Sequence, residues 1–181
     1  MNPSEYDVTY AVKEWLIKHK WIIIAYDPPG AQGTFSIPDP VKKDKKEKGQ
    51  TGTTAPDIIA TKDDYLLIVE CKGSGDSKIK QDIKKLNAFV KNDERMKVFE
   101  QIIVNACKAN GVSLKFAKSK IILAKAHGGK NLLLQKDIET FQVTIKKEWD
   151  STMINPKTDL SEIIVVTYHP TSDKRKKILE D

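Results

Sequence analysis

Asp57, Glu70 and Lys72 are the residues of this 181-residue chain whose types and spacing invite chemistry. Glu70 and Lys72 close the run Tyr65-Leu66-Leu67-Ile68-Val69-Glu70-Cys71-Lys72, which reads as a strand. Alternate side chains of a strand share a face, so Leu66, Ile68, Glu70 and Lys72 point one way and Leu67, Val69 and Cys71 the other. Asp57 opens a second strand-like stretch, Asp57 to Ala60, and Lys62-Asp63-Asp64 supplies the turn between them. Folding that hairpin sets Asp57 opposite Val69 or Glu70, depending on the register of the turn. Opposed residues have Cβ atoms ~5 Å apart, so two carboxylates can converge on one cation, and without it their charges repel.

Magnesium suits such a pair, because it prefers oxygen and takes one or two carboxylates while keeping several waters. Manganese is expected to substitute. A bound metal acidifies water and offsets charge that develops on a phosphate, while Lys72 would orient or help deprotonate the attacking water. The plain alternative is a surface strand that ends in a salt-bridged Glu-Lys pair, with Asp57 as a turn residue. Against it stands the unbroken apolar run before Glu70. A carboxylate at the end of a central strand needs a partner or a metal.

These residues need a frame. Ser4 caps a helix running to about His19, with Asp7 completing a box-like cap and Val8, Ala11, Val12, Trp15 and Leu16 forming one apolar face. Trp21 to Tyr26 reads as a buried strand, stopped by Pro28-Pro29-Gly30. Over residues 38–56 periodicity is lost around Lys42, Lys43, Lys45 and Lys46, which reads as a mobile lysine-rich loop, either a solvated insert or a segment that folds onto phosphates. Helices are expected over about 77–90 and 94–109, the second closed by Asn110-Gly111. Lys120 to Ala124 is a further strand, His127-Gly128-Gly129-Lys130 a turn, and Leu132 to Leu134 a short strand. Asp137 to Trp149 reads as a helix in spite of its β-branched content, Glu162 to Tyr168 as a late strand, and Asp173 to Lys177 as the start of a charged tail. Trp15, Trp21 and Tyr65 read as core, and His169-Pro170 as structural. The order gives an α/β fold in a single domain over 1–181.

Composition sets the broad class. Hydrophobic residues make up 39 % and charged residues 31 %, and the net charge is +6. That surplus suits a polyanion such as DNA, though charge alone is weak evidence. No apolar run approaches the ~20 residues that span a bilayer. Met1 to Glu5 lacks the pattern of a signal peptide, so a cytoplasmic location is expected, with no membrane partner. Cys71 and Cys107 are not spaced as metal ligands and read as buried apolar residues. With only three histidines, scattered along the chain, zinc is not expected.

Pro56-Asp57 followed by Glu70-Cys71-Lys72 at the end of an apolar strand resembles the PD-(D/E)xK superfamily of restriction-endonuclease-like nucleases. The resemblance covers the helix, strand, hairpin, strand and helix order over about residues 4–125. It implies a mixed central sheet flanked by helices, with Asp57 and Glu70 on magnesium, Lys72 serving the water, and a 5′-phosphate product. Such nucleases often add an acidic residue from the first helix. His19-Lys20-Trp21, closing a helix before an apolar strand, is similar to archaeal Holliday junction resolvases. In that alignment the helix glutamate falls on Thr9, a departure, and Glu5, one turn earlier on the inward side, is the expected metal ligand. Glu14 points outward. On the helix after Lys72, Gln81 is placed to reach the water or a phosphate, and Lys78 to meet DNA unless it is simply exposed.

The expectation is therefore a magnesium-dependent DNA endonuclease acting as a homodimer, with no small-molecule cofactor beyond the metal. Restriction-type action ranks first, a structure-specific junction resolvase second and a repair nuclease third. Two rivals lie outside catalysis. One is a DNA-binding subunit that kept the nuclease fold, and the other an unrelated lysine-rich α/β protein. Metal binding separates both from an enzyme.

Overall fold

The computed structural model describes residues 2–30, 37–38, 53–73, 84, 86–87, 90–130, 134–149 and 160–181. The chain begins with α1 (Glu5–Lys18). Ser4 accepts from the Asp7 backbone N–H, and Asp7 in turn accepts from the Ser4 N–H at 2.8 Å. This capping box satisfies donors that the first helical turn leaves open.

Among the described residues the strands are, in sequence order, β1 (Ile22–Tyr26), β2 (Ile37–Pro38), β3 (Thr53–Thr54), β4 (Ile58–Lys62), β5 (Tyr65–Lys72), β6 (Ile121–Gly128), β7 (Glu139–Trp149) and β8 (Leu160–His169). Among the described residues the other helices are α2 (Asp93–Ala109) and α3 (Asp173–Glu180). Six strands make one mixed sheet in the order β1-β4-β5-β6-β7-β8, and β2 pairs with β3 apart from it. The β5–β6 and β6–β7 pairs are parallel and the others antiparallel. This is an α/β fold consistent with a restriction-endonuclease-like core.

β5 lies inside the sheet, antiparallel to β4 and parallel to β6, and its apolar run is buried on both faces because helices cover both sides of it. Leu67, Val69 and Cys71 face α1, packing with Val8, Val12 and Leu16. Leu66 and Ile68 face α2, packing with Phe99 and Ile103. Each such side chain contributes roughly 1.5–3 kcal/mol on leaving water. Both cysteines are free and buried, Cys71 under α1 and Cys107 on the sheet-facing side of α2. Burial, with Asp57 nearby, pushes the Cys71 thiol well above its ordinary pKa, so it stays neutral.

Several expectations are corrected. Trp21 to Tyr26 is not a fully buried strand: β1 is a sheet edge, with Ile22 47 % exposed. His127 and Gly128 do not form a turn but complete β6, and the chain turns only at Gly129, where φ is +94°. Residues 139–149 are the strand β7, not a helix. Phe141 and Val143 enter the α1 face while Thr140, Gln142 and Thr144 take the other, a period of two that overrides helical spacing. The charged tail is α3, capped by Ser172 and anchored by fully buried Leu179, whose carbonyl accepts from Trp21 Nε1 at 3.1 Å. Strands β2 and β3 lie at the two ends of the expected lysine-rich loop; Lys42, Lys43, Lys45 and Lys46 fall outside the described residues. So do Lys78 and Gln81, most of the helix expected over 77–90, and Leu132 and Leu133. No helix among the described residues is long and apolar enough to cross a membrane.

Candidate active site

The β4–β5 hairpin turns at Asp63-Asp64, where Asp63 takes φ +52° and the flanking Lys62 and Tyr65 pair. That two-residue turn fixes the register as Ile58 opposite Val69. Continued by one residue, it sets Asp57 opposite Glu70. The Asp57 carboxylate does not swing freely, because its Oδ2 accepts from the Cys71 backbone N–H at 2.6 Å. Glu70 is only 8 % exposed, at the end of a run of buried side chains.

Lys72 lies two residues on, 15 % exposed, and its Nζ donates to Glu5 Oε1 at 2.9 Å. A glycine contact explains how the first helix comes so close. A Cβ on Gly73 would stand 3.1 Å from the Glu5 backbone nitrogen. On the neighbouring strand, a Cβ on Gly128 would stand 2.6 Å from Pro3 Cγ, closer than real Cβ atoms come. The residues before α1 therefore rest on bare backbone at the ends of β5 and β6. Glu5 thus reaches the site, but it meets Lys72. Thr9, the departure from the family pattern, is fully buried and turns its hydroxyl back to the Glu5 carbonyl at 2.8 Å. Glu14 is exposed and pairs with Lys13.

The sheet also brings in residues that sequence reasoning missed. The Asp27 N–H donates to the Asp57 carbonyl at 2.9 Å, which sets Asp27 beside Asp57 at the end of β1. Asp27 Oδ1 is buried with no hydrogen-bond partner among the described residues. On the other flank, Glu70 pairs with Lys125 and Lys72 with His127 across β5–β6. Lys125 is fully buried, and the Gln135 amide oxygen stands 3.5 Å from its Nζ. One signal for Lys125 was present: it breaks the apolar run Ile121 to Ala126 as Glu70 breaks its own. For Asp27 there was none, since nothing local says which strand β1 joins.

The donor chemistry fits a magnesium ion. Asp57 and Glu70 offer carboxylate oxygens from adjacent strands, and the orphaned Asp27 Oδ1 lies on the far side of Asp57. Among the described residues no three His, Cys, Asp or Glu side chains form a ready-made cage. Magnesium does not require one, since waters complete its octahedron.

The family model for the archaeal Holliday junction resolvase (hjc) matches residues 45–144, more than half of the chain. The chain belongs to this family. It is accordingly a nuclease of the PD-(D/E)xK superfamily, a class that acts on DNA. The matched stretch holds Asp57, Glu70, Lys72, Lys125 and His127, whereas Glu5 and Asp27 precede it. No curated protein and no solved structure gives a significant match.

Proposed function

We propose that this resolvase-family chain is a magnesium-dependent endonuclease that cuts branched DNA at four-way junctions. The register that opposes Asp57 to Glu70, with Lys72 two residues further along β5, carries this reading. In it, Asp57 and Glu70 hold the cation, and the Cys71 N–H fixes one Asp57 oxygen so that the carboxylate is oriented in advance. Bound there, the metal would polarise the scissile phosphate and acidify a water. Lys72 orients that water and stabilises charge gathering on the phosphate oxygens. The Glu5 carboxylate holds the Lys72 ammonium in place through its ion pair. As a metal ligand, the role expected from the sequence, Glu5 would have to give up that contact.

The family match favours the junction resolvase over the restriction-type endonuclease ranked first on sequence. Gln81 and Lys78, and the lysines of 42–46, remain proposed contacts to water or phosphate. We take the whole chain as one nuclease domain acting as a homodimer, because resolving a junction needs two symmetric cuts.

The test is cleavage of a synthetic four-way junction beside its linear duplex arms, with magnesium, with EDTA, and by Lys72→Ala. We expect metal-dependent cuts near the branch point, little action on the linear arms, and loss of activity in the variant. Equal cutting of linear duplex at one sequence would restore the restriction reading. Cutting that survives EDTA or Lys72→Ala would remove the proposed centre.

A further inference from the structure

Two cavities of about 570 Å³ each open beside the sheet, and their charges are opposite. The first lies between the residues before α1 and the β7–β8 pair, and Asp7 and Glu162 are its charged walls. That groove repels a polyanion. The second opens where β8 ends and β7 begins, and Lys136 and Arg175 line it, with Asp137 as its acid. Lys136 is exposed and Arg175 half-buried, and neither forms a salt bridge among the described residues.

Both walls of this second cavity are fixed in advance. On one side the buried Glu139 carboxylate accepts from the Tyr168 hydroxyl and from the Thr171 N–H and hydroxyl, which holds the corner from Pro170 to Ser172. Ser172 accepts from the Arg175 N–H at 3.3 Å, so its own hydroxyl proton remains for another acceptor. On the other side Gln135 pairs with Ile138 across the turn that carries Lys136 and Asp137, where Asp137 takes φ +63°. Walls that need no ordering on binding keep more of the energy of each contact.

The register locates the cavity against the carboxylate centre. Glu70 stands opposite Lys125, Lys125 opposite Thr140, and Thr140 opposite His169, which lines the cavity. Strands lie ~4.8 Å apart, so β8 stands about 14 Å from β5. B-DNA rises ~3.4 Å per base pair, and that span covers about four of them. Gln135 joins the two places, since it lines the cavity and its amide oxygen stands 3.5 Å from Lys125 Nζ.

An ammonium, a guanidinium and a hydroxyl around one opening ask for an anionic oxygen acceptor. Leu134, 64 % exposed, and Pro170 add an apolar ledge beside them. An anion with an apolar flank is what one sugar-phosphate unit of a DNA strand presents. Lys136, Pro170 and Ser172 are exposed, so a strand reaches this lining without any part of the fold opening.

We propose that this cavity is a backbone subsite for the duplex arm that flanks the cut. Lys136, Arg175 and Ser172 hold one phosphate about four base pairs from the scissile one, and Leu134 and Pro170 rest against its sugar. The proposal rests on the nuclease reading of Asp57, Glu70 and Lys72, and it adds the place where an arm is held. The competing account is a pair of solvated cations that only raise the general attraction to DNA.

The experiment is binding of a four-way junction in EDTA, where cleavage is silent, over a range of salt concentrations. Wild type is compared with Lys136→Gln, Arg175→Gln and their double variant, each checked by its melting temperature. Lys97→Gln, which removes an exposed cation from α2, is the control for charge alone. We expect each single variant at the cavity to bind about tenfold more weakly and to lower the slope of log affinity against log salt by about one. The double variant loses little beyond either single one, because the shared phosphate is lost only once. Lys97→Gln stays within about twofold of wild type. A neutral methylphosphonate scanned along the arm costs wild type about tenfold at one position and costs the double variant nothing more there. Cavity variants that bind as Lys97→Gln does, single losses that simply multiply, or a methylphosphonate penalty undiminished in the double variant would overturn the subsite. Should Arg175→Gln fail to fold, exposed Lys136→Gln and its methylphosphonate scan decide alone. Failure of the nuclease reading shows elsewhere, as wild-type protein that leaves the junction uncut in magnesium whatever the binding pattern.

Discussion

The two faces of the central sheet handle buried polar groups in opposite ways. Under α1, the fully buried carboxylate of Glu139 accepts from the Tyr168 hydroxyl and from both the backbone N–H and hydroxyl of Thr171. Trp21 Nε1 and Thr9 Oγ1 are bonded to carbonyls, and the Tyr26 hydroxyl is the one orphan of that face among the described residues. On the α2 face the sheet ends in Asp27, His127 and Thr140, each with an orphaned atom, beside Glu70 and Lys72. Satisfied polar groups rigidify a fold. Unsatisfied ones cost stability and are retained where something else completes them. Both faces carry an apolar core, but the orphaned polar atoms gather at the end of the α2 face, beside the carboxylates proposed to hold the cation.

That contrast can be broken experimentally. Glu70→Gln removes a carboxylate from the α2 face, and we expect junction cleavage to fall by about 10²–10³-fold while junction binding is kept or strengthened, since a charge repelling phosphate has gone. Single-turnover rates and gel shifts measure the two. A comparable loss of rate from a change under α1 that leaves stability intact would end the contrast.

Leu179→Ala attacks the other face. Leu179 is fully buried and pins α3 against the α1-side core. The substitution should cost about 3 kcal/mol of stability, read from denaturant unfolding, with the folded fraction still binding DNA as wild type does.

Gly128→Ala tests the seam between the faces. Its Cβ would displace Pro3, and with it the start of α1 and the Glu5–Lys72 contact. We expect cleavage to drop about 10–100-fold and melting to change little, because Val8, Val12 and Leu16 keep their packing. A variant that melts early but cuts normally when folded would show that Pro3 only braces the fold.

The smallest effect concerns pH. Burial holds the His127 imidazole below its ordinary pKa, with Lys125 adding repulsion and the Gly128 carbonyl opposing it. The unfolded chain therefore takes up this proton more readily. The stability from neutral His127 is full above the unfolded value of about 6.5 and is lost as pH falls through the folded value. The slope is at most about 1.4 kcal/mol per pH unit, one proton's worth. Unfolding between pH 5 and 7 should be less pH-dependent in His127→Gln, and an unchanged slope would show that His127 is not buried neutral.

Much of the site could be read in sequence because a hairpin keeps its chemistry local. Asp57 and Glu70 are joined by a turn whose two residues, Asp63 and Asp64, sit where the strands' apolar patterns stop. One register choice then decided the pairing. The Ser4–Asp7 cap and the face of α1 were likewise short-range patterns, and Glu5 followed from the angular count along that helix. The strand β7 misled because Phe141, Val143 and Ile145 satisfy a period of two while the flanking lysines and Glu148 also suit a helix. Its neighbours in the sheet decided between them.

By itself the sequence determined the hairpin, its acid-acid-lysine set and the helix that leans on it, since each depends on residues a few positions apart or on one turn. Only the tertiary structure decided that β1 docks on β4, that β6 runs parallel to β5, and that Lys125, His127 and Thr140 stand in line with Glu70 and Lys72. Those pairings join residues far apart in the chain, and their partner and register are set by burying Ile122, Ala124 and Phe141 under α1. No local rule of spacing encodes that burial, because many strands present the same alternating face.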